Sequence, residues 1–268
     1  MPELPEVETV KNDLKKQVLY KKIVLMDVYW NNIIVYPSVL EFTDKIKNQT
    51  INNILRRGKW LMFELDDYFL LSHLRMEGKY FIKNKCDIRN KHEHVIFTFS
   101  DDTTLRYHDT RKFGKMYLID KNKVYDVKPL NKLGLEPFAD NLTVSYLKGK
   151  FKKKPIKTEL LDQSIIVGIG NIYADEILFL SKINPLKKAS ELTDDNLSDI
   201  IKYTKQVLKE AIKKGGTTVK SYSSNGMHGS YQDELFVHTK KICPVCKSNI
   251  EKITVSTRGT YYCPNCQK

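Results

Sequence analysis

No run of apolar residues in this chain is long enough to cross a bilayer, and no charged start leads into an apolar signal core. An integral membrane protein is thereby excluded, and the cytoplasm is the default address. Cysteine is scarce, with five in 268 residues. Four of them fall in two Cys-x-x-Cys pairs, which fits a metal in a reducing compartment better than a secreted disulfide framework. The fifth, Cys86, reads as an ordinary free thiol. Acidic residues are also in deficit, 32 against 45 basic, for a net charge of +13 and an isoelectric point near 9.3. Such an excess favours a polyanionic partner, nucleic acid foremost, although lysine-rich compositions and membrane affinity produce the same imbalance. Internal repeats are missing too. With 41% hydrophobic residues, the chain can bury two or three packed units.

Leu4, Val7, Val10, Leu14 and Val18 are spaced for an amphipathic helix. From about 22 to 120 the pattern turns to short β-rich runs, separated by turn signals at Gly58, Asp66-Asp67, Gly78 and Asp101-Asp102, and predicts an antiparallel sandwich. A polar stretch with Pro129, Gly134 and Pro137 reads as a hinge. Helical patterns follow around 142–151, 171–182 and 193–214, the last stopped by Gly215-Gly216, and a Ser/Gly/Asn-rich loop covers 217–231.

Chemistry is suggested at several places. Trimming of Met1 before the small Pro2 exposes a secondary amine, and an α-amino group titrates near pH ~8, so a useful fraction is unprotonated at neutral pH. Glu3 and Glu6 place carboxylates within reach, and an amine beside a carboxylate is suited to Schiff-base chemistry. By itself, a Met-Pro start is also compatible with a stiff, inert terminus.

Cys243-Pro-Val-Cys246 and Cys263-Pro-Asn-Cys266 have the spacing of a zinc ribbon, with four thiolates at the ends of two hairpins closing a structural site. Thr257-Arg258-Gly259-Thr260 between the pairs reads as a hairpin tip that presents a guanidinium to a phosphate or simply to water. Gly168-Ile169-Gly170, ahead of a helix start, could let the backbone cradle an anion, though a nucleotide fingerprint would need a third glycine. His92 and His94 form a His-x-His pair with no third ligand evident. Lys59 alone reads as a turn lysine, the run Lys152, Lys153, Lys154 and Lys157 as a solvated basic cluster, and Met76 and Phe113 as core residues.

Pro-Glu-Leu-Pro-Glu-Val-Glu-Thr-Val at the start, Gly-Ile-Gly-Asn-Ile-Tyr-Ala-Asp-Glu in the middle and the paired cysteines at the end resemble, in order and over essentially the whole chain, the formamidopyrimidine-DNA glycosylases. Those enzymes excise oxidised purines and nick the resulting abasic site. Endonuclease VIII relatives usually open Pro-Glu-Gly-Pro-Glu, so Leu4 points to the purine branch.

The resemblance implies an α+β multidomain fold: an N-terminal antiparallel β-sandwich with a flanking helix (1–125), a helix-two-turn-helix domain with a lesion loop (126–233) and a zinc ribbon (234–268). It implies Pro2 as the nucleophile, Glu3 as the proton manager, Lys59 in proton transfer during strand cleavage and Arg258 in the last elimination. DNA contacts are implied for Glu6, Met76, His92, Arg111, Phe113, Lys152, Lys157 and Asn171. Among these, Met76, Phe113 and Arg111 fill the hole left by a base turned out of the duplex. Thr110 stands where the family commonly has proline, a departure expected to loosen its loop. Cys243, Cys246, Cys263 and Cys266 are implied to hold one structural Zn2+.

The partner is then double-stranded DNA carrying oxidised bases or abasic sites, held by a monomer in a basic cleft between domains, with no membrane and no nucleotide cofactor. Two other readings stay open: an endonuclease VIII-like enzyme for oxidised pyrimidines, and a non-catalytic zinc-ribbon protein that binds damaged DNA.

Overall fold

A computed structural model describes residues 1–217 and 229–268. The expected contact of the 217–231 loop with an extruded base therefore falls mostly outside the described residues. The chain forms two compact units, one holding Met1–Pro2 and Glu6–Asn131, the other Glu3–Pro5, Lys132–Thr217 and Ser230–Lys268.

The first unit carries most of helix α1 (Leu4–Val18), then β1 (Ile23–Val28), β2 (Ile34–Tyr36), α2 (Val39–Ile46), β3 (Asn53–Arg57), β4 (Trp60–Glu64), β5 (Tyr68–His73), β6 (Lys79–Asn84), β7 (Glu93–Phe99), β8 (Thr103–His108) and β9 (Lys115–Asp120). The strands form a four-stranded sheet, β1-β7-β8-β6, and a five-stranded sheet, β2-β9-β5-β4-β3. Phe63 of one sheet and Tyr80 of the other meet edge to face at 5.7 Å, so the sheets enclose a common core. The predicted sandwich is there, with one departure: β2 runs parallel to β9. α1 buries Val7, Leu14 and Val18 in the same core, as its spacing predicted. α2 was not expected. It is eight residues long, buries Phe42 and Ile46, and is capped by Ser38, whose Oγ accepts from the Glu41 N–H at 3.3 Å.

The second unit contains α3 (Val144–Lys150), α4 (Ile156–Leu160), α5 (Asn171–Leu180), α6 (Asp194–Lys213), β10 (Glu251–Val255) and β11 (Arg258–Tyr262). α6 opens with a reciprocal capping box between Thr193 and Asn196. It stops where sequence placed the stop: Gly215 and Gly216 take positive φ, and the Gly216 N–H donates to the Ala211 carbonyl at 2.8 Å. α5 is apolar on nearly every side, and Tyr173, Ala174, Ile177 and Leu178 lie in the centre of this unit's core. The ribbon's two expected hairpins are there. β10 and β11 form one, and the first cysteine pair sits in a shorter one in which Ile242 and Asn249 make an antiparallel bridge, closed by Cys243 N–H to Ser248 O at 2.8 Å and Lys247 N–H to Cys243 O at 3.1 Å.

Candidate active site

Glu3 and Leu4 pack against the loop and first turn of α5 within the second unit. Pro2 is buried. The Glu3 carboxylate, 3% exposed, accepts from the backbone N–H groups of Ile172 at 3.0 Å and Tyr173 at 3.4 Å. Gly170, the N-cap of α5, offers no side-chain oxygen, so Glu3 caps the helix from a distant part of the sequence and sits in its partial positive field. Both glycines are required by this approach: a Cβ on Gly170 would lie 2.3 Å from Glu3 Cδ, and one on Gly168 2.5 Å from Leu4 Cδ1. The Leu4 N–H donates to the Gly168 carbonyl at 3.0 Å, and Gln163 steadies the loop by accepting from Gly168 and donating to Ile169 O. The anion cradled at this helix start is thus the chain's own carboxylate. Leu4 is wholly in the core and reads no base directly. Glu6, expected to contact DNA, is 4% exposed, as deeply set as Glu3.

In the other unit, Gly58 takes φ +55 in the two-residue turn between β3 and β4, and Lys59 beside it is 6% exposed. Nearby His73 was not singled out from sequence. Its ring packs edge-on to Trp60 at 4.8 Å, and its Nδ1 accepts from the Arg75 N–H at 3.0 Å. Burial, followed by the charges of Arg75 and Lys59, pushes its pKa down to about 3, so the imidazole is neutral.

The Met76 and Arg111–Phe113 loops are organised by two buried groups that sequence did not reveal. Asp109 accepts from three backbone N–H groups: Arg111 at 3.0 Å, Phe113 at 2.8 Å and Gly114 at 2.8 Å. Tyr107 fills the space left by two glycines, since a Cβ on Gly78 would come to 2.2 Å from its hydroxyl oxygen and one on Gly114 to 1.8 Å. On this base Phe113 is 48% exposed, with the Arg111 guanidinium 4.9 Å from its ring centroid. Phe113 is therefore no core residue, and Met76 is half-buried. The hydroxyl of Thr110 donates to Glu77, a bond between the two loops that proline could not make.

His92 stands half-exposed with its ring 5.5 Å from that of His108 and 6.4 Å from that of His94. A third histidine is thus present after all. The three do not converge on a metal, because His94 Nε2 is engaged with the Asp109 carbonyl at 2.9 Å and the cysteine cluster is the one ligand group among the described residues.

Lys152 is exposed, as a phosphate-contacting lysine should be. Lys157 is not. It is 0% exposed, and its ammonium donates to Asp175 Oδ1 at 2.6 Å, Thr260 Oγ1 at 2.7 Å and the Gly259 carbonyl at 3.2 Å. All three of its N–H bonds are used inside the protein, so the expected DNA contact is corrected to an internal brace. Asn171 likewise donates from Nδ2 to the Gly259 carbonyl at 2.9 Å. Asp175 and Glu176 were present in the central motif without a role. The Glu176 carboxylate accepts from Phe236, Val237 and His238 N–H groups at 2.6, 3.1 and 2.8 Å, fastening α5 to the segment that leads into the ribbon. The signal was there: two acids on an otherwise apolar helix must find buried partners.

The four cysteine sulfurs lie within 4.8 Å of one another, with Cys243–Cys266 at 3.8 Å and Cys246–Cys263 at 3.4 Å. A tetrahedron with Zn–S bonds of ~2.3 Å has edges near ~3.8 Å. The cluster therefore fits one zinc ion with no open position, a structural site that supplies folding energy to the ribbon. Arg258 is exposed at the first position of β11, next to a Ser256–Thr257 turn in which both residues take positive φ.

The sequence pattern of the formamidopyrimidine-DNA glycosylase N-terminal domain matches residues 1–116, that of the glycosylase H2TH domain residues 133–223, and that of a zinc finger found in FPG and IleRS residues 241–268. The formamidopyrimidine-DNA glycosylase of Shouchella clausii is 47% identical over 273 residues, spanning 100% of this chain and 99% of that protein. The one from Bacillus subtilis is 46% identical with the same coverage. Among solved structures, the complex between Lactococcus lactis Fpg and an abasic site containing DNA is similar with a TM-score of 0.93 and 38% identity over 99% of each chain. Wild-type Lactococcus lactis Fpg with an oxidized pyrimidine containing DNA gives 0.92 and 38% over 100% of each. Motif, fold and end-to-end similarity agree, and the chain belongs to the formamidopyrimidine-DNA glycosylase family.

Proposed function

We propose that this protein excises oxidised purines from double-stranded DNA with the amine of Pro2 as nucleophile and then cuts the strand at the abasic site. Family membership makes it a DNA glycosylase with abasic-site lyase activity acting in base-excision repair. The observation that carries the residue assignment is the Glu3 carboxylate, next to Pro2 in sequence and fixed on the α5 amides at 3.0 and 3.4 Å. Once Met1 is removed, the Pro2 nitrogen bonds to the sugar C1′ as the glycosidic bond breaks and its electron pair leaves with the base. Glu3 takes the proton that the Pro2 nitrogen gives up on attack and passes it to O4′, which lets the O4′–C1′ bond open and gives an iminium. The iminium acidifies the C2′ hydrogen. Its loss, with Lys59 carrying a proton, expels the 3′-phosphate. A second elimination, through loss of the C4′ hydrogen, expels the 5′-phosphate, with Arg258 holding the departing anion. Water then hydrolyses the iminium and frees Pro2.

Met76, Phe113 and Arg111 replace the extruded base, and His92, Lys152 and Asn171 contact the DNA backbone. The domain limits 1–125, 126–233 and 234–268, a monomeric state and a cytoplasmic, nucleoid-associated location belong to the same reading. No helix among the described residues is long and apolar enough to cross a membrane. Borohydride trapping on an oxidised-guanine duplex, with mass analysis of the N-terminus, tests it. Protein beginning at Pro2 should become covalently joined to DNA, and acetylated protein should not; incision by blocked protein at full speed would overturn the assignment. An endonuclease VIII-like preference is the second reading, favoured by the similar structure holding an oxidized pyrimidine. Excision assays on oxidised guanine and thymine glycol side by side separate the two.

A further inference from the structure

The polar cluster behind Arg258 is larger than a zinc ribbon needs. Asp175 stands at its centre, fully inside the protein, with Oδ1 accepting from Lys157 at 2.6 Å and Oδ2 engaged by His238 Nδ1 at 2.7 Å and by the Tyr261 N–H at 3.2 Å. Lys157 extends the cluster to Gly259 O and Thr260 Oγ1, Thr260 Oγ1 donates to the Arg258 carbonyl at 3.0 Å, and Asn171 Nδ2 donates to Gly259 O at 2.9 Å. Every backbone unit from Arg258 to Tyr261 is therefore tied, directly or through one side chain, to α4 or α5. The Arg258 side chain itself remains exposed. The adjoining turn carries two residues, Ser256 and Thr257, at φ +44 and +72, a conformation that disfavours side chains. A tip of this kind keeps its place only if its base is over-determined.

We propose that Asp175 is a positioning residue for Arg258: by holding Lys157, His238 and Tyr261 at once, it sets where the guanidinium stands relative to the α5 N-terminus and so governs the second elimination. Burial lowers the affinity of Lys157 for its proton and the Asp175 carboxylate offsets part of that loss, so the brace leans on this carboxylate for its charge. Zinc fixes the ribbon's internal shape, whereas Asp175 fixes the ribbon's tip to α5. The inference rests on the reading that Arg258 serves the departure of the 5′-phosphate.

The test is single-turnover cleavage of a preformed abasic duplex, with the singly and doubly eliminated products resolved on a gel. Asp175→Asn should keep its zinc and its borohydride trapping to within about twofold. Its ratio of doubly to singly eliminated product should fall ~10-fold or more, as misplacement of a positioned group does. His238→Phe removes one bond without leaving a buried charge unpaired and should shift the ratio the same way by a few-fold. It decides the matter if Asp175→Asn fails to fold. An unchanged ratio in a folded, zinc-loaded variant overturns the inference. Arg258→Ala run alongside separates the failures: if it too leaves the ratio unchanged, the role of Arg258 is at fault; if it alone loses the second elimination, Asp175 is.

Discussion

Two loops in this protein each present an exposed arginine on a rigid base, and they achieve it by different means. The Arg111 loop is organised by one carboxylate, Asp109, accepting from three backbone N–H groups, with Tyr107 packed into the space of two glycines. The Arg258 tip depends on four thiolates around a metal and on a buried ammonium–carboxylate pair. The first device is local, because Asp109 lies two to five residues from the groups it binds. The second draws on residues 157, 171, 175 and 238, far from the tip in sequence. A local device should survive loss of its neighbours, and a distributed one should not.

The harshest way to break this contrast is to remove the metal. Zinc binding contributes on the order of 10 kcal/mol to folding of such modules, so chelation should abolish binding to an abasic duplex in a titration while leaving the sandwich's circular dichroism intact. Metal-free protein that binds normally would end the distinction. Asp109→Ala strikes the local device. It strands three amides and should cost about 2–4 kcal/mol in urea unfolding. Excision of an oxidised base should be lost while a preformed abasic site is still cut, and equal loss of both would mean the loop does more than fill the hole.

Acid provides a gentler probe. The folded His73 pKa of about 3 lies below the ordinary 6.5, so between those values the unfolded chain binds a proton that the folded one refuses. Stability is full above pH ~6.5 and falls by about 1.4 kcal/mol per unit below it, and His73→Gln should flatten that slope in thermal melts. The smallest effect is expected for Thr110→Val. Losing one hydroxyl bond to Glu77 should cost about 0.5–1.5 kcal/mol, with a matching slight fall in excision.

What sequence could show followed the range of the interactions involved. α1, the α6 stop and the cysteine pairs rest on spacings within a few residues, and they stand where expected. α2 was missed because eight residues with Phe42 and Ile46 inward offer too little periodicity amid strands. The parallel β2–β9 pair joins segments far apart in the chain. Lys157 read like Lys152, Lys153 and Lys154 because charge alone cannot tell a braced lysine from a solvated one. Its flanking Ile156 and Leu160, both 0% exposed, were the available hint. Asp109, Asp175 and Glu176 act on backbone or on partners that only folding brings near.

Glu3 with Gly170, and Leu4 with Gly168, are steric partners separated by more than half the chain. Neither member can drift alone: a bulkier residue at either glycine displaces the chain's start, and a changed start leaves the helix amides without their acceptor. These four positions should therefore be inherited as a block, so that homologues altering one also alter its mate, and recombination between divergent relatives that splits the block should yield misassembled offspring.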